Sequence, residues 1–139
     1  MLTSSRKLTI EWGDCDPADI VFYPNYFKWF DASTANHFKA AGLPKPELIR
    51  RFGVLGFPMV DTRANFLIPS RHGDEVVIET TITGFGRSSF DVSHRLMRGS
   101  KLAVEGFEKR VLVKKAEDGK GMAACPVPDA VKDLFQLTT

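Results

Sequence analysis

Residues 13–31 read Gly-Asp-Cys-Asp-Pro-Ala-Asp-Ile-Val-Phe-Tyr-Pro-Asn-Tyr-Phe-Lys-Trp-Phe-Asp. A turn rich in Gly, Asp and Pro runs into six aromatic residues within nine positions, Phe22 to Phe30. Pro24 suits a first helical turn and Asn25 is a good cap, so a helix opens there. It runs to about Ala41, where Gly42 and Pro44 stop it. Phe27, Phe30, Ala35, Phe38 and Ala41 give it a broader apolar arc than a surface helix needs. The helix is therefore expected to pack deeply, wrapped by a sheet. Carboxylates beside apolar surface and a helix N-terminus form a setting in which an acid is tuned for chemistry.

Upstream, Leu8, Ile10 and Trp12 alternate with Thr9 and Glu11, which predicts a short first strand. Downstream, Leu48, Ile49 and Phe52 support a second short helix within 46–57. From Pro58 the period becomes two. Val60, Ala64, Phe66 and Ile68 share one strand face, and Val76, Ile78, Thr80 and Ile82 another. Phe90, Val92, His94 and Leu96 form a third. Lys101–Lys115 is a fourth run, with Val111 and Val113 on one parity and Leu102 and Val104 on the other. That change of parity predicts a bulge near Gly106. Gly84-Phe85-Gly86 and Arg98-Gly99-Ser100-Lys101 read as hairpin connections. A last helix, Asp129–Leu137, closes the chain.

A strand, a long helix and four hairpin-joined strands predict an α+β domain with a mostly antiparallel sheet. One helix covers one sheet face, so a homo-oligomer is expected to cover the other. The 139 residues make a single domain over 1–139, with 43% hydrophobic and 26% charged residues. A net charge of +2 speaks against nucleic acid as the main partner. The first residues carry no apolar signal segment, and no run has the length of a membrane span. Cys15 and Cys125 fit no metal spacing and read as reduced thiols, so a cytoplasmic protein is expected.

Gly13-Asp14-Cys15-Asp16-Pro17-Ala18, Ile20-Val21, Pro24-Asn25-Tyr26, Trp29 and Asp31 together resemble the 4-hydroxybenzoyl-CoA thioesterase branch of the hotdog-fold thioesterases. Gly42-Leu43-Pro44, Gly56 with Pro58, and Ser89-Phe90 extend the likeness. The resemblance implies a hotdog fold, in which a curved antiparallel sheet wraps the long helix. It also implies an active site at a dimer interface, often within a tetramer, and hydrolysis of an acyl-CoA thioester without cofactor or metal.

On that resemblance Asp16 is the catalytic residue. A carboxylate can attack the thioester carbonyl to form a mixed anhydride, or take a proton from water. Read alone, an Asp before Pro simply organises its turn. The backbone N–H at Tyr23, where the helix starts, is implied as the oxyanion donor. Asp31 is implied to meet a ring hydroxyl of the acyl group from the partner subunit. Arg87 is what remains of a basic triplet that would hold CoA phosphates, with Ser88 and Ser89 as further donors. Two departures stand out. Phe57 replaces a family Thr and is expected to reshape the acyl pocket, and Asp19 replaces a family Gly. His94 reads as a hydrogen-bonded core residue. A thioesterase for short aliphatic acyl-CoA or for acyl carrier protein, and a non-catalytic acyl-CoA binding module, are the alternatives.

Overall fold

The computed structural model describes residues 1–136. Strand β1 (Thr3–Thr9) leads through a 3-10 turn to the long helix α1 (Pro24–Ala40) and the short α2 (Lys45–Phe52). Then follow β2 (Met59–Phe66), β3 (Glu75–Phe85), β4 (Ser89–Arg98) and β5 (Lys101–Val111). The short ribbon β6 (Val113–Lys115) and β7 (Met122–Ala124) precedes α3 (Asp129–Gln136). The final residue of the expected last helix, Leu137, lies outside the described residues. Five strands form one antiparallel sheet in the order β1-β3-β4-β5-β2, with α1 against its concave side. This is the α+β architecture that the resemblance implied, a curved sheet around a long helix.

The first strand begins and ends earlier than alternation predicted. It pairs Thr3–Thr9 with Thr81–Glu75 of β3, and Trp12 leaves the sheet to stand 76% exposed. The cause is local: Asp14 Oδ2 takes the Glu11 N–H at 2.8 Å and closes the 3-10 turn over Trp12–Asp14. The bulge predicted near Gly106 falls instead at Ala103. There the β4–β5 register shifts between Leu96↔Val104 and Met97↔Leu102, and both Ala103 and Val104 are buried. After that bulge the inward parity carries Gly106, Glu108 and Arg110, while Val111 is only half-buried.

Helix α1 also turns an unexpected face inward. Tyr26, Trp29, Phe30 and Phe38 are buried as apolar anchors, but so are Ser33, Thr34 and His37, while Ala35 is exposed. Apolar clusters lie at either end, around Trp29, Phe30 and Leu96 and around Phe38, Phe57, Phe90 and Phe135. Between them runs a polar row fixed by the register Ser4↔Thr80↔His94↔Gly106. Phe30 stacks on His94 at 4.8 Å with 7° between the planes. A Cβ on Gly106 would lie 2.5 Å from the Phe30 ring, so only glycine lets helix and sheet approach this closely.

The face predicted for β2 is not a buried one. Val60 and Phe66 are 57% and 50% exposed, and Ala64 and Ile68 are half-buried. β2 is the sheet edge, and only its last residue, Phe66, meets α1, through the Tyr26 and Phe27 rings. The convex face of the sheet is polar instead, with Glu79, Arg95 and Glu105 in cross-strand register and Lys109 paired to Asp91 at 3.2 Å. It does not call for a covering subunit, contrary to the expectation from a sheet with one helix-covered face.

Candidate active site

The turn before α1 is a small closed unit. Cys15 and Val21 form an antiparallel bridge, and Asp16 N–H donates to the Ile20 carbonyl at 2.9 Å. Phe22 N–H and Asn25 Nδ2 both donate to the Asp14 carbonyl, each at 2.9 Å. Asn25 is therefore not the helix cap that its identity suggested. It ties the turn to the helix, and Tyr23, already in helical conformation, occupies the cap position with no side-chain bond. Asp19, at φ 61°, is the only described non-glycine residue in the left-handed region, and Arg71 Nη1 donates to its carbonyl at 3.3 Å. An Asp thus fulfils the conformational role that glycine would otherwise take.

Asp16 is half-buried. Its Oδ1 accepts the Ala18 N–H at 2.8 Å, the turn-organising bond expected of an Asp before Pro. Its second oxygen accepts no hydrogen bond from a described residue. With Trp12, Cys15, Pro17 and Asp19 it lines an open groove of about 460 Å³. An apolar depression of about 300 Å³, lined by Ile20, Val21, Tyr23, Tyr26, Phe66, Ile68 and Pro69, lies across the Cys15–Val21 bridge. Among the described residues, Tyr23 N–H finds no acceptor, as befits a helix start. Desolvation pushes the Cys15 thiol pKa up, with Asp19, Asp14 and Asp16 reinforcing it, which disfavours a thiolate.

Asp31 lies two turns further along α1, 68% exposed at its side chain, and receives Arg110 Nη2 at 2.7 Å. Phe57, expected to reshape the acyl pocket, is 6% exposed and stacked on Phe38 at 4.6 Å. It touches the candidate site through Arg110, whose Nη1 donates to the Phe57 carbonyl at 3.3 Å and whose guanidinium lies 5.6 Å from the Phe57 ring centroid. Glu108 and Arg110 were not among the residues expected from the sequence, because no local pattern marks them and their inward direction follows from the β4–β5 register.

Arg87, Ser88 and Ser89 sit on the β3–β4 hairpin, where Gly86 N–H donates to the Ser89 carbonyl. The Asp16 turn lies at the Glu75 end of β3, tied there by Ile10 N–H to the Asp74 carbonyl. Arg87 lies past the Phe85 end, about 30 Å away along the strand. Within one protomer the hairpin and Asp16 are not brought together.

Residues 10–135 match the family described as the thioesterase-like superfamily. The chain is 37% identical to 4-hydroxybenzoyl-CoA thioesterase of Pseudomonas sp. (strain CBS-3) across 86% of its length and 87% of that protein. Its fold matches a crystal structure of a 4-hydroxybenzoyl CoA thioesterase variant complexed with 4-hydroxybenzoyl CoA, with TM-score 0.88 and 34% identity, covering 96% of this chain and 99% of that one. A gentisyl-coenzyme A thioesterase superposes with TM-score 0.82 at 33% identity, covering 95% and 99% of the two chains. The fold is that of a hotdog thioesterase. The chain belongs to the thioesterase-like superfamily and is a thioester hydrolase.

Proposed function

We propose that this protein hydrolyses the thioester of an aromatic acyl-CoA, with Asp16 as nucleophile or general base and the Tyr23 backbone N–H as oxyanion donor. One observation carries the reading: a carboxylate oxygen and a helix-start N–H, both without hydrogen-bond partners among the described residues, on the two arms of one bridged loop. In the nucleophilic route the carboxylate attacks the carbonyl carbon and the CoA thiolate leaves. Water then cleaves the mixed anhydride and regenerates Asp16. Charge on the carbonyl oxygen is met by the N–H, aided by the positive end of the α1 dipole. The apolar depression lined by Tyr23, Tyr26 and Phe66 suits an aromatic acyl group. The relatives named above act on 4-hydroxybenzoyl-CoA and gentisyl-CoA, which supports the same substrate class here.

The active unit is a homo-oligomer, dimer or tetramer. The edge strand β2 leaves its outer backbone groups unpaired and carries exposed Met59, Val60 and Phe66, beside exposed Phe22, Tyr23 and Leu67. A second copy would cover them and bring Asp31 of one protomer to the acyl ring of the other, with Arg87, Ser88 and Ser89 holding CoA across subunits. Two unpaired cysteines suit a reducing cytoplasm. Among the described residues no helix is long and apolar enough to cross a membrane.

The test is release of free thiol from benzoyl, hydroxybenzoyl, phenylacetyl and short aliphatic CoA esters, with Asp16→Asn alongside. Fast turnover of the aromatic esters is expected, reduced by about 10²–10⁴-fold in the variant. Stabilisation by the esters without turnover would make this a binding module. Turnover confined to acyl carrier protein esters would overturn the CoA assignment.

A further inference from the structure

The polar row that divides the core has a direction, and it ends at Asp31. At its inner end Thr80 Oγ1 lies 2.9 Å from His94 Nδ1. His94 Nε2 faces Thr34 Oγ1 at 3.2 Å and Glu108 Oε2 at 3.1 Å. Thr34 donates its hydroxyl to Glu108 Oε1 at 2.7 Å, so its oxygen accepts from His94 Nε2, while Glu108 Oε2 accepts no hydrogen bond among the described residues and is met only by the 3.1 Å approach of that ring nitrogen. Arg110 Nε donates to Glu108 Oε1 at 2.8 Å. Its Nη2 reaches Asp31 at 2.7 Å. Glu108 and Arg110 side chains are 1% and 6% exposed, while Asp31 is 68% exposed.

A buried ion pair costs desolvation and is seldom the most stable choice for a core. Here the guanidinium is fixed on three sides, by Glu108, by the Phe57 carbonyl and by the Phe57 ring. Its fourth contact holds an exposed carboxylate through Oδ1 alone. A surface Asp on a helix ordinarily samples several rotamers, and this one is clamped from below.

We propose that Arg110 is a positioning residue for substrate specificity. The Glu108–Arg110 pair, braced by Phe57, holds one oxygen of Asp31 so that the other is set to accept a hydrogen bond from a hydroxyl on the acyl ring. This rests on Asp31 contacting the acyl group across the subunit interface. It also gives Phe57 its role. The departure at this position acts on specificity through Arg110, not as a wall of the acyl pocket. A preorganised acceptor discriminates strongly against a ligand lacking the hydroxyl, because the carboxylate is then desolvated without a partner.

The test is the ratio of kcat/KM for 4-hydroxybenzoyl-CoA over benzoyl-CoA in Asp31→Asn, Arg110→Lys and the double variant, with thermal unfolding as a check on the fold. Lysine keeps the charge and loses the fork that bonds Glu108 and Asp31 together. The expected result is a fall in the ratio of about tenfold or more in each single variant, mainly through KM, with the double variant no worse than either. Thr34→Val removes one donor to Glu108 with little change of volume. It is expected to lower the same ratio by a few-fold, and it serves if Arg110→Lys fails to fold. An unchanged ratio in Asp31→Asn would overturn the Asp31 contact and this inference with it. A changed ratio in Asp31→Asn with an equal loss on both esters in Arg110→Lys, or an unchanged ratio in Thr34→Val if that variant must serve, would leave the contact standing and reduce the buried pair to a structural one.

Discussion

Asp16 is at once the organiser of its own turn and the candidate catalyst, since one oxygen takes the Ala18 N–H and the other has no hydrogen-bond partner among the described residues. The two readings that the sequence left in competition are compatible, because a carboxylate has two oxygens. Asp16→Asn preserves the turn acceptor and should leave the fold intact while activity falls, which thiol release and circular dichroism together check. Gly106 is the opposite case, a residue whose importance is purely steric. Gly106→Ala places a methyl 2.5 Å from the Phe30 ring and should cost about 1–3 kcal/mol in urea unfolding. Nothing in its local sequence announced this, because the clash involves a ring on another element.

At the scale of elements, β1, α1 and α3 meet at His37. Its Nδ1 lies 2.6 Å from Ser4 Oγ of β1, its ring is 5.1 Å from that of Phe135 of α3, and its Nε2 has no hydrogen-bond partner among the described residues. Burial, with nearby His94 adding repulsion between charges, lowers its pKa to about 4. An unfolded histidine titrates near 6.5, so between those values the unfolded chain binds more protons. Stability should therefore be independent of this group above pH 6.5 and fall as pH drops toward 4. The total loss is about 3 kcal/mol. His37→Gln should flatten that segment of the Tm–pH profile, whereas an unchanged profile would remove His37 as its origin. Glu108 behaves differently. Burial raises its pKa, but bonds from His94 and Arg110 outweigh that and hold it below the usual carboxylate range. The row tolerates neutral pH because its one buried carboxylate is paired.

For the whole molecule the open β2 edge is decisive. Its exposed Val60 and Phe66 are unexplained in a single copy and expected in an assembly. Phe66→Lys, which places a charge beside the Tyr23 and Tyr26 rings, should shift sedimentation equilibrium toward monomer and lower turnover of every ester alike. A monomer with full activity would contradict an active site shared between subunits. The roughly 30 Å between Asp16 and the Arg87 hairpin carries the same expectation, because the two ends of a CoA ester must then be held by different copies.

Local sequence determined the main elements, their order and the carboxylate turn, but not the short β6–β7 ribbon. Turn chemistry, a proline at a helix start and alternation of two are short-range physics, legible without a partner strand. Tertiary structure decided what faces what. A single bulge at Ala103 set the parity of β5 and carried Glu108 and Arg110 inward rather than out. That register, together with Thr80 and His94 on neighbouring strands, built a polar row that no one strand encodes. The reason is that a strand's side chains alternate with fixed period, so one inserted residue reverses every face beyond it, and only the paired neighbour fixes where the insertion falls.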